Sequence, residues 1–450
     1  MPVYGGCSAG RRASAVASSP RTVWHDRCFL ECDAENGGGR PTPVACGAPS
    51  ANEGSRCVVD RVAERVLRVD LTSGKVSVEP LPPLRGRDCV GPRGRAAACL
   101  LADLDPTVDP LGPGSKLAFA AGACAALPLP GASRLVVAGL SPVTGLYADA
   151  EAGGVWAAAL ARVGFAAVVV EGRADRPVYL ELSESGARLG DASRLWGLTT
   201  VETQAALRVG LADPAAQAVV IGPAGEHAVP FACILHGSTS AAGRAGLGAA
   251  MGAKGLKAVV VRSGQGAAAG GAPAGCAGCP RPCRSAALGH KTRQAFAELG
   301  LLDAADLREA NWLCNAYGLD TLATAAALRG VVRRRRRERR EEVFRLIPRL
   351  ARGELPCSPE ALRTADVRRQ RDGVPGEREL DAVRAAKVLG ICRWVVAPSG
   401  PLALERVLAG LKAASGASVT SSDLAREEAR TEEAIAAFNR GAAAARASVV

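Results

Sequence analysis

RVLRVDLTSGKVSVEPL, residues 65–81, alternates apolar and polar side chains on either side of a Thr-Ser-Gly-Lys turn. Period-two alternation about a glycine-containing turn is the pattern of a half-buried β-hairpin, so the folded body is expected to begin near Val62. Upstream, residues 1–60 are rich in Ser, Gly, Arg and Pro and show neither helical nor strand periodicity, which reads as disorder or an extension. Their Cys28 and Cys32 have the look of half a metal site but lack a matching second pair nearby.

Downstream of the hairpin, short β-branched runs recur at 135–140, 166–172, 178–182, 218–222 and 257–264. Helical periodicity intervenes around VETQAALRVGL, 201–211, and residues 153–170 read as a helix followed by a buried strand. Residues 61–264 are therefore expected to form an α/β domain of mixed β-sheets with helices. GQGAAAGGAPAG then supplies too little side-chain volume for a core, which makes 265–275 a linker. Beyond it, DAADLREANWLCNAYGL (303–319) and PLALERVLAGLKAAS (401–415) repeat apolar residues at helical intervals, so 276–450 is expected to be predominantly α-helical.

Composition narrows the function. The formal charge of +12 suits an acidic partner, and much of it sits in RRRRRERR, 333–340, whose plain reading is a solvated helix face. Aromatic residues are only 4% of the chain, which weighs against base stacking and makes nucleic acid an unlikely partner. Fifteen cysteines at irregular spacing in 450 residues do not make a disulfide scaffold, so a reducing, cytoplasmic setting is expected. No run of 18 apolar residues occurs, and no membrane association is expected.

The chemistry concentrates in Cys276-Ala-Gly-Cys279-Pro-Arg-Pro-Cys283, a C-x2-C-x3-C set. Tight turns bring three thiolates together, as an iron–sulfur cluster needs and as zinc also accepts. Pro280 and Pro282 stiffen the turn. A cluster requires a fourth ligand from elsewhere: Cys392 in LGICRWV is the leading candidate, with Cys314 and Cys357 as competitors. Three ordinary buried cysteines are the plain alternative.

With these landmarks, the chain resembles the aldehyde ferredoxin oxidoreductase family, as a shortened and divergent member. The resemblance runs in order through 66–82, GPRGRAAACLL (91–101), 108–122, SPVTGLYADAEAGG (141–154), 168–180, DASRLWG (191–197), IGPAGE (221–226) and AAGRAGLGAAMGAKGLKAVVVRSG (241–264). It resumes at ANWLCNAYGLDTLAT (310–324), LGICRW (389–394) and FNRG (438–441). It implies two pterin dithiolenes on one tungsten or molybdenum, a 4Fe-4S cluster on Cys276, Cys279, Cys283 and Cys392, and oxidation of an aldehyde or related oxo compound with electrons passing to ferredoxin or a similar acidic carrier. Arg93 with Gly94, and Arg244 with Gly246, are the expected phosphate partners, since each arginine stands among glycines that allow close backbone approach. By the same resemblance Glu151 and Ala245 offer carbonyls to magnesium, Gly153 belongs to the cofactor loop, and Asp320 and Leu389 stand near pterin. Asp320 reads equally as a helix cap. No catalytic residue is assigned.

Two departures from the family pattern stand out. Where the family has a D-x-x-G-[LIV]-C motif, with its aspartate five residues before the cysteine, this chain has Lys387, in Lys387-Val388-Leu389-Gly390-Ile391-Cys392. An ammonium cannot accept the hydrogen bonds a carboxylate would. The stretch between Arg333 and Arg384, moreover, is much shorter than the family's cavity-lining insertion, which favours a non-catalytic paralogue as the alternative reading.

Overall fold

The structure, a computed structural model, describes residues 63–264 except 128, then 290–332, 338–366, 384–392 with 395, 403–415 and 418–447. The linker expected at 265–275 and the Cys276–Cys283 triplet lie outside the described residues.

The opening hairpin is present. β1 (Arg65–Asp70) pairs antiparallel with β2 (Val76–Pro80) across the predicted turn. β2 ends in proline and leaves Val78 half exposed, as suits the edge of a sheet. β3 (Leu117–Ala121), β4 (Leu135–Leu140), β5 (Tyr147–Ala152) and β6 (Phe165–Glu171) complete a six-stranded sheet in the order β2-β1-β6-β3-β4-β5. Its β1–β6 pair is parallel and the others are antiparallel. A second six-stranded sheet takes β7 (Val178–Ser183), β8 (Gly186–Asp191), β9 (Gln217–Ile221), β10 (Ile234–His236), β11 (Ser240–Ala242) and β12 (Leu256–Arg262) in the order β11-β10-β9-β12-β7-β8. There the β7–β12 pair is parallel.

One apolar core joins the sheets: Leu67, Phe119, Val137 and Val168 from the first meet Leu180, Val219, Ile221 and Val259 from the second. α2 (Trp156–Arg162) carries Trp156 into that core, where its indole N–H donates to the Val259 carbonyl at 3.0 Å and its ring lies 6.1 Å from that of Phe119. β4 is buried along its whole length, which explains its unbroken apolar sequence.

The helices follow local signals. α1 (Pro92–Leu101) starts with proline in its first turn and covers the outer face of the first sheet. α3 (Thr200–Gly210) is opened by a reciprocal capping box of Thr199 and Glu202, which sets its start one residue before the predicted one. α4 (Pro223–Glu226) and α5 (Leu247–Ala253) close the α/β part. Then come α6 (His290–Ala297), α7 (Ala304–Tyr317), α8 (Thr321–Arg329), α9 (Arg339–Ala351) and α10 (Pro359–Ala365), which bury Phe296, Leu307, Leu328, Ile347 and Ala361 together. α11 (Leu404–Ser415) and the long α12 (Ser421–Ala447) complete the described chain. The expected fold class holds: two mixed sheets with helices, then a helical region. Among the described residues, no helix is long and apolar enough to cross a membrane.

Candidate functional site

The segment from Lys387 to Cys392 turns at Gly390, whose φ of 68° is left-handed, and lies against the loop between β3 and β4. Two backbone bonds fix it there: Arg134 N–H donates to the Gly390 carbonyl at 3.1 Å, and Cys392 N–H donates to Gly131 at 3.0 Å. Gly131 must lack a side chain because a Cβ would come within 3.1 Å of the Cys392 Cβ, and a Cβ on Gly122 would come within 2.8 Å of the Leu389 carbonyl oxygen. Val388, Leu389, Ile391 and Cys392 are buried with Cys124, Val407, Leu411 and Leu424.

At the Cys392 end stands Arg134, which the sequence reading did not single out. Its Nη2 lies 3.8 Å from the Cys392 sulfur and its Nη1 lies 3.9 Å from a Glu151 carboxylate oxygen. Glu151 thus reaches Cys392 through one guanidinium. Gly153 is buried just beyond, and the next residue, Gly154 at φ 106°, packs against the His236 ring. His236 Nε2 accepts the Val155 N–H at 3.2 Å while Nδ1 faces the Ala218 carbonyl at 3.0 Å. That pairing requires the neutral ring with its proton on Nδ1. The Ser133 hydroxyl donates to the Gly154 carbonyl and closes the loop.

At the Lys387 end the charges are paired within the protein. Arg93, near the start of α1, is buried and donates through Nε to Asp149 at 2.8 Å and through Nη1 to Glu432 of α12. Burial disfavours its charged form, but Asp149 and Glu432 more than offset this and hold it protonated. Lys387 itself lies 3.4 Å from Glu428 and 3.8 Å from Glu432. Glu427 accepts the N–H groups of Val90 at 3.1 Å and Gly91 at 2.9 Å. The glycines of this motif admit protein groups here: a Cβ on Gly91 would overlap the Val388 carbonyl, and one on Gly94 would stand 2.8 Å from Glu427 Oε1. The remaining cavity measures about 10 Å³.

A third corner gathers Arg244, Ala245, Gly246 and Asp320. Arg244 (φ 74°) and Gly246 (φ 72°) are both left-handed, and a Cβ on Gly246 would overlap the Pro230 carbonyl. Ala245 is buried. Asp320 caps α8, one carboxylate oxygen accepting Leu322 N–H at 3.1 Å and Ala323 N–H at 2.9 Å. Its other oxygen faces Gly243 beside the Cys233 thiol. Burial raises the Asp320 pKa, with Ala323 N–H and Arg244 working the other way. Of the competing thiols, Cys314 is in the helical core, where burial pushes it up to about 12, and Cys357 is half-buried. Among the described residues no three His, Cys, Asp or Glu side chains converge as a metal site, and three of the expected cluster ligands lie outside them.

Glu427, Glu432, Arg134 and His236 were thus missed by sequence reasoning. Arg134 precedes a strand and His236 ends one, and neither belongs to a recognisable local motif. The α12 carboxylates stand in a helix whose charges look solvated in the sequence.

Compared with known families, residues 66–263 match the description "Aldehyde ferredoxin oxidoreductase, N-terminal domain". This part of the chain, 44% of its length, is similar to that domain. The tungsten-containing aldehyde ferredoxin oxidoreductase of Pyrococcus abyssi (strain GE5 / Orsay) is 41% identical over 198 residues, which are 44% of this chain and 33% of that protein. The Pyrococcus furiosus enzyme of the same description is 41% identical over 197 residues, with the same shares. An aliphatic sulfonate oxidoreductase, WOR-like subunit, of P. furiosus is 30% identical over 217 residues, 44% of this chain and 34% of its own length. The aligned region thus spans about a third of these relatives, all of them oxidoreductases. Across the aldehyde ferredoxin oxidoreductase domain and beyond it, the fold is shared with a chain of the active site complex BamBC of benzoyl coenzyme A reductase in complex with 1,5 dienoyl-CoA. The TM-score is 0.67 and the identity 21%, covering 84% of this chain and 88% of that one.

Proposed function

We propose that the chain is an oxidoreductase that oxidises an aldehyde or a related oxo compound to the acid at a tungsten or molybdenum pterin centre, electrons leaving through a 4Fe-4S cluster to ferredoxin or a similar acidic carrier. The observation that supports it most is the line Cys392–Arg134–Glu151, which joins a buried thiol to the loop of the aldehyde ferredoxin oxidoreductase domain expected to hold the cofactor.

At this corner the residues fit such groups. Cys392 would be the distal ligand of the cluster, with Cys276, Cys279 and Cys283 as its partners. Arg134 would donate hydrogen bonds toward sulfur and any phosphate beside it, and Glu151 and Ala245 would offer carbonyls to magnesium. Arg244 and Asp320 would orient the far side of a pterin, Asp320 through the oxygen its helix cap leaves over. Such a centre, when bound, supplies the two-electron oxidation itself; the protein positions it, excludes water and provides a short electron path. His236 and Ser133 hold the Glu151–Gly154 loop in place for that purpose.

The Lys387 corner supports the second reading, a non-catalytic paralogue that keeps the cluster for electron transfer or for structure. About 10 Å³ beside Arg93 is room for roughly one water, not for a second pterin ring. Metal analysis of protein made anaerobically with tungstate decides between the two readings. About four irons and one tungsten per chain is the expected result, while iron without tungsten or molybdenum would establish the paralogue.

A further inference from the structure

The start of α1 is an anion site by construction. Val90 and Gly91 present N–H groups at a helix N-terminus, where the backbone dipole favours negative charge, and Arg93 adds a buried guanidinium. Its present occupants are side chains of α12: Glu427 on the two N–H groups and Glu432 on Arg93.

The occupancy is incomplete. Arg93 Nη2 is buried and has no hydrogen-bond partner, although its side chain is only 6% exposed. The Tyr147 hydroxyl is likewise buried and unpartnered, on the same face of β5 as the Asp149 that holds Arg93. Leaving two buried donors unmet is costly, and a carboxylate of fixed reach does not satisfy them. A tetrahedral oxyanion has more acceptor oxygens than a carboxylate and offers partners to a fork and a hydroxyl together.

We propose that α12 is an internal occupant of an oxyanion site, its Glu427 and Glu432 carboxylates standing where a phosphate group binds, so that a phosphate-bearing ligand and this helix face compete for Arg93 and the start of α1. Lys387 is the hinge of the competition, since its ammonium holds Glu428 and Glu432 in place and would itself attract the incoming anion. Arg93 has no part in the proposed function; its unmet Nη2, the unmet Tyr147 hydroxyl and the start of α1 point to an oxyanion by themselves.

Calorimetric titration of the full chain with inorganic pyrophosphate tests the competition. Glu427→Gln/Glu432→Gln keeps the size of both side chains, removes both charges and leaves one of the Val90 and Gly91 N–H groups without an acceptor, and is expected to bind roughly tenfold tighter than the wild type or better. Adding Arg93→Gln should abolish the gain. A double variant with native circular dichroism and no gain in affinity would overturn the inference. Should that variant not fold, hydrogen exchange of the wild type decides: faster exchange over residues 421–447 on adding pyrophosphate supports the competition, and unchanged exchange overturns it. A chain that carries neither tungsten nor molybdenum yet gains pyrophosphate affinity in the double variant would remove the proposed function and leave this inference standing.

Discussion

The two ends of the segment Lys387–Cys392 meet the same strand, β5, in opposite ways. At Cys392 a guanidinium bridges a thiol and Glu151 over contacts of 3.8 and 3.9 Å, longer than well-made charged hydrogen bonds. At Lys387 a guanidinium is gripped by Asp149 at 2.8 Å and by Glu432, and the surrounding space is nearly filled. One end meets its strand through long contacts, and the other through short ones in nearly filled space. Stability and ligand readiness are thus separated within a single short loop, and substitutions should divide accordingly.

The largest effect is expected at the closed end from Gly91→Ala, because the new Cβ would overlap the Val388 main-chain oxygen, which cannot swing aside. A loss of about 3 kcal/mol or more in urea unfolding is expected, or failure to fold. Arg93→Met should come next, at about 3–5 kcal/mol, since it strands the Asp149 and Glu432 charges. An unfolding midpoint unchanged in either variant would show that the closed end is not a stability element.

Glu427 gives a smaller effect with a sign that depends on pH. Burial raises its pKa, only partly offset by the Gly91 and Val90 N–H groups and by Arg430 and Arg95. Because the folded value is the higher one, the stabilisation from this group is complete below the ordinary carboxylate range and is lost as pH rises through the raised value. Glu427→Gln mimics the protonated form, so it should exceed the wild type by up to about 1 kcal/mol at pH 7. The advantage should vanish near pH 4 in parallel thermal melts. A constant difference across that range would contradict the sign. At the open end Arg134→Ala should cost under about 1 kcal/mol, because its ion pair is long and only partly buried. In anaerobically prepared protein the same change should alter the reduction potential of the proposed cluster, read by electron paramagnetic resonance, through loss of an N–H···S contact. Equal costs for Arg93→Met and Arg134→Ala would erase the contrast.

How much of this was legible beforehand follows from what each signal depends on. The hairpin at 65–81 and the β4 run were readable because their side-chain periods report local geometry. β3, LAFAA, and β5, YADAEA, announce no strand: alanine is a poor strand former, and pairing holds these segments extended, β3 between β6 and β4 and β5 against β4 at the sheet edge. β10 and β11 are too short to show a period. In the candidate site, Arg93, Glu151 and Cys392 were named from their motifs, but the side chains they meet were not. Arg134 meets Cys392 across 258 positions and Glu427 meets Gly91 across 336, separations at which no pattern in the chain announces contact.

That last separation also fixes an order of events. Chains emerge from the ribosome amino end first, so the segments that form the sheets and α1 are synthesised well before Glu427 and Glu432. Until the final helix arrives, Arg93 and the first turn of α1 stand open to whatever small anions the cell provides. An anion that uses Arg93 therefore has its easiest access before the carboxyl-terminal helix docks, and anything that delayed that docking would lengthen the opportunity.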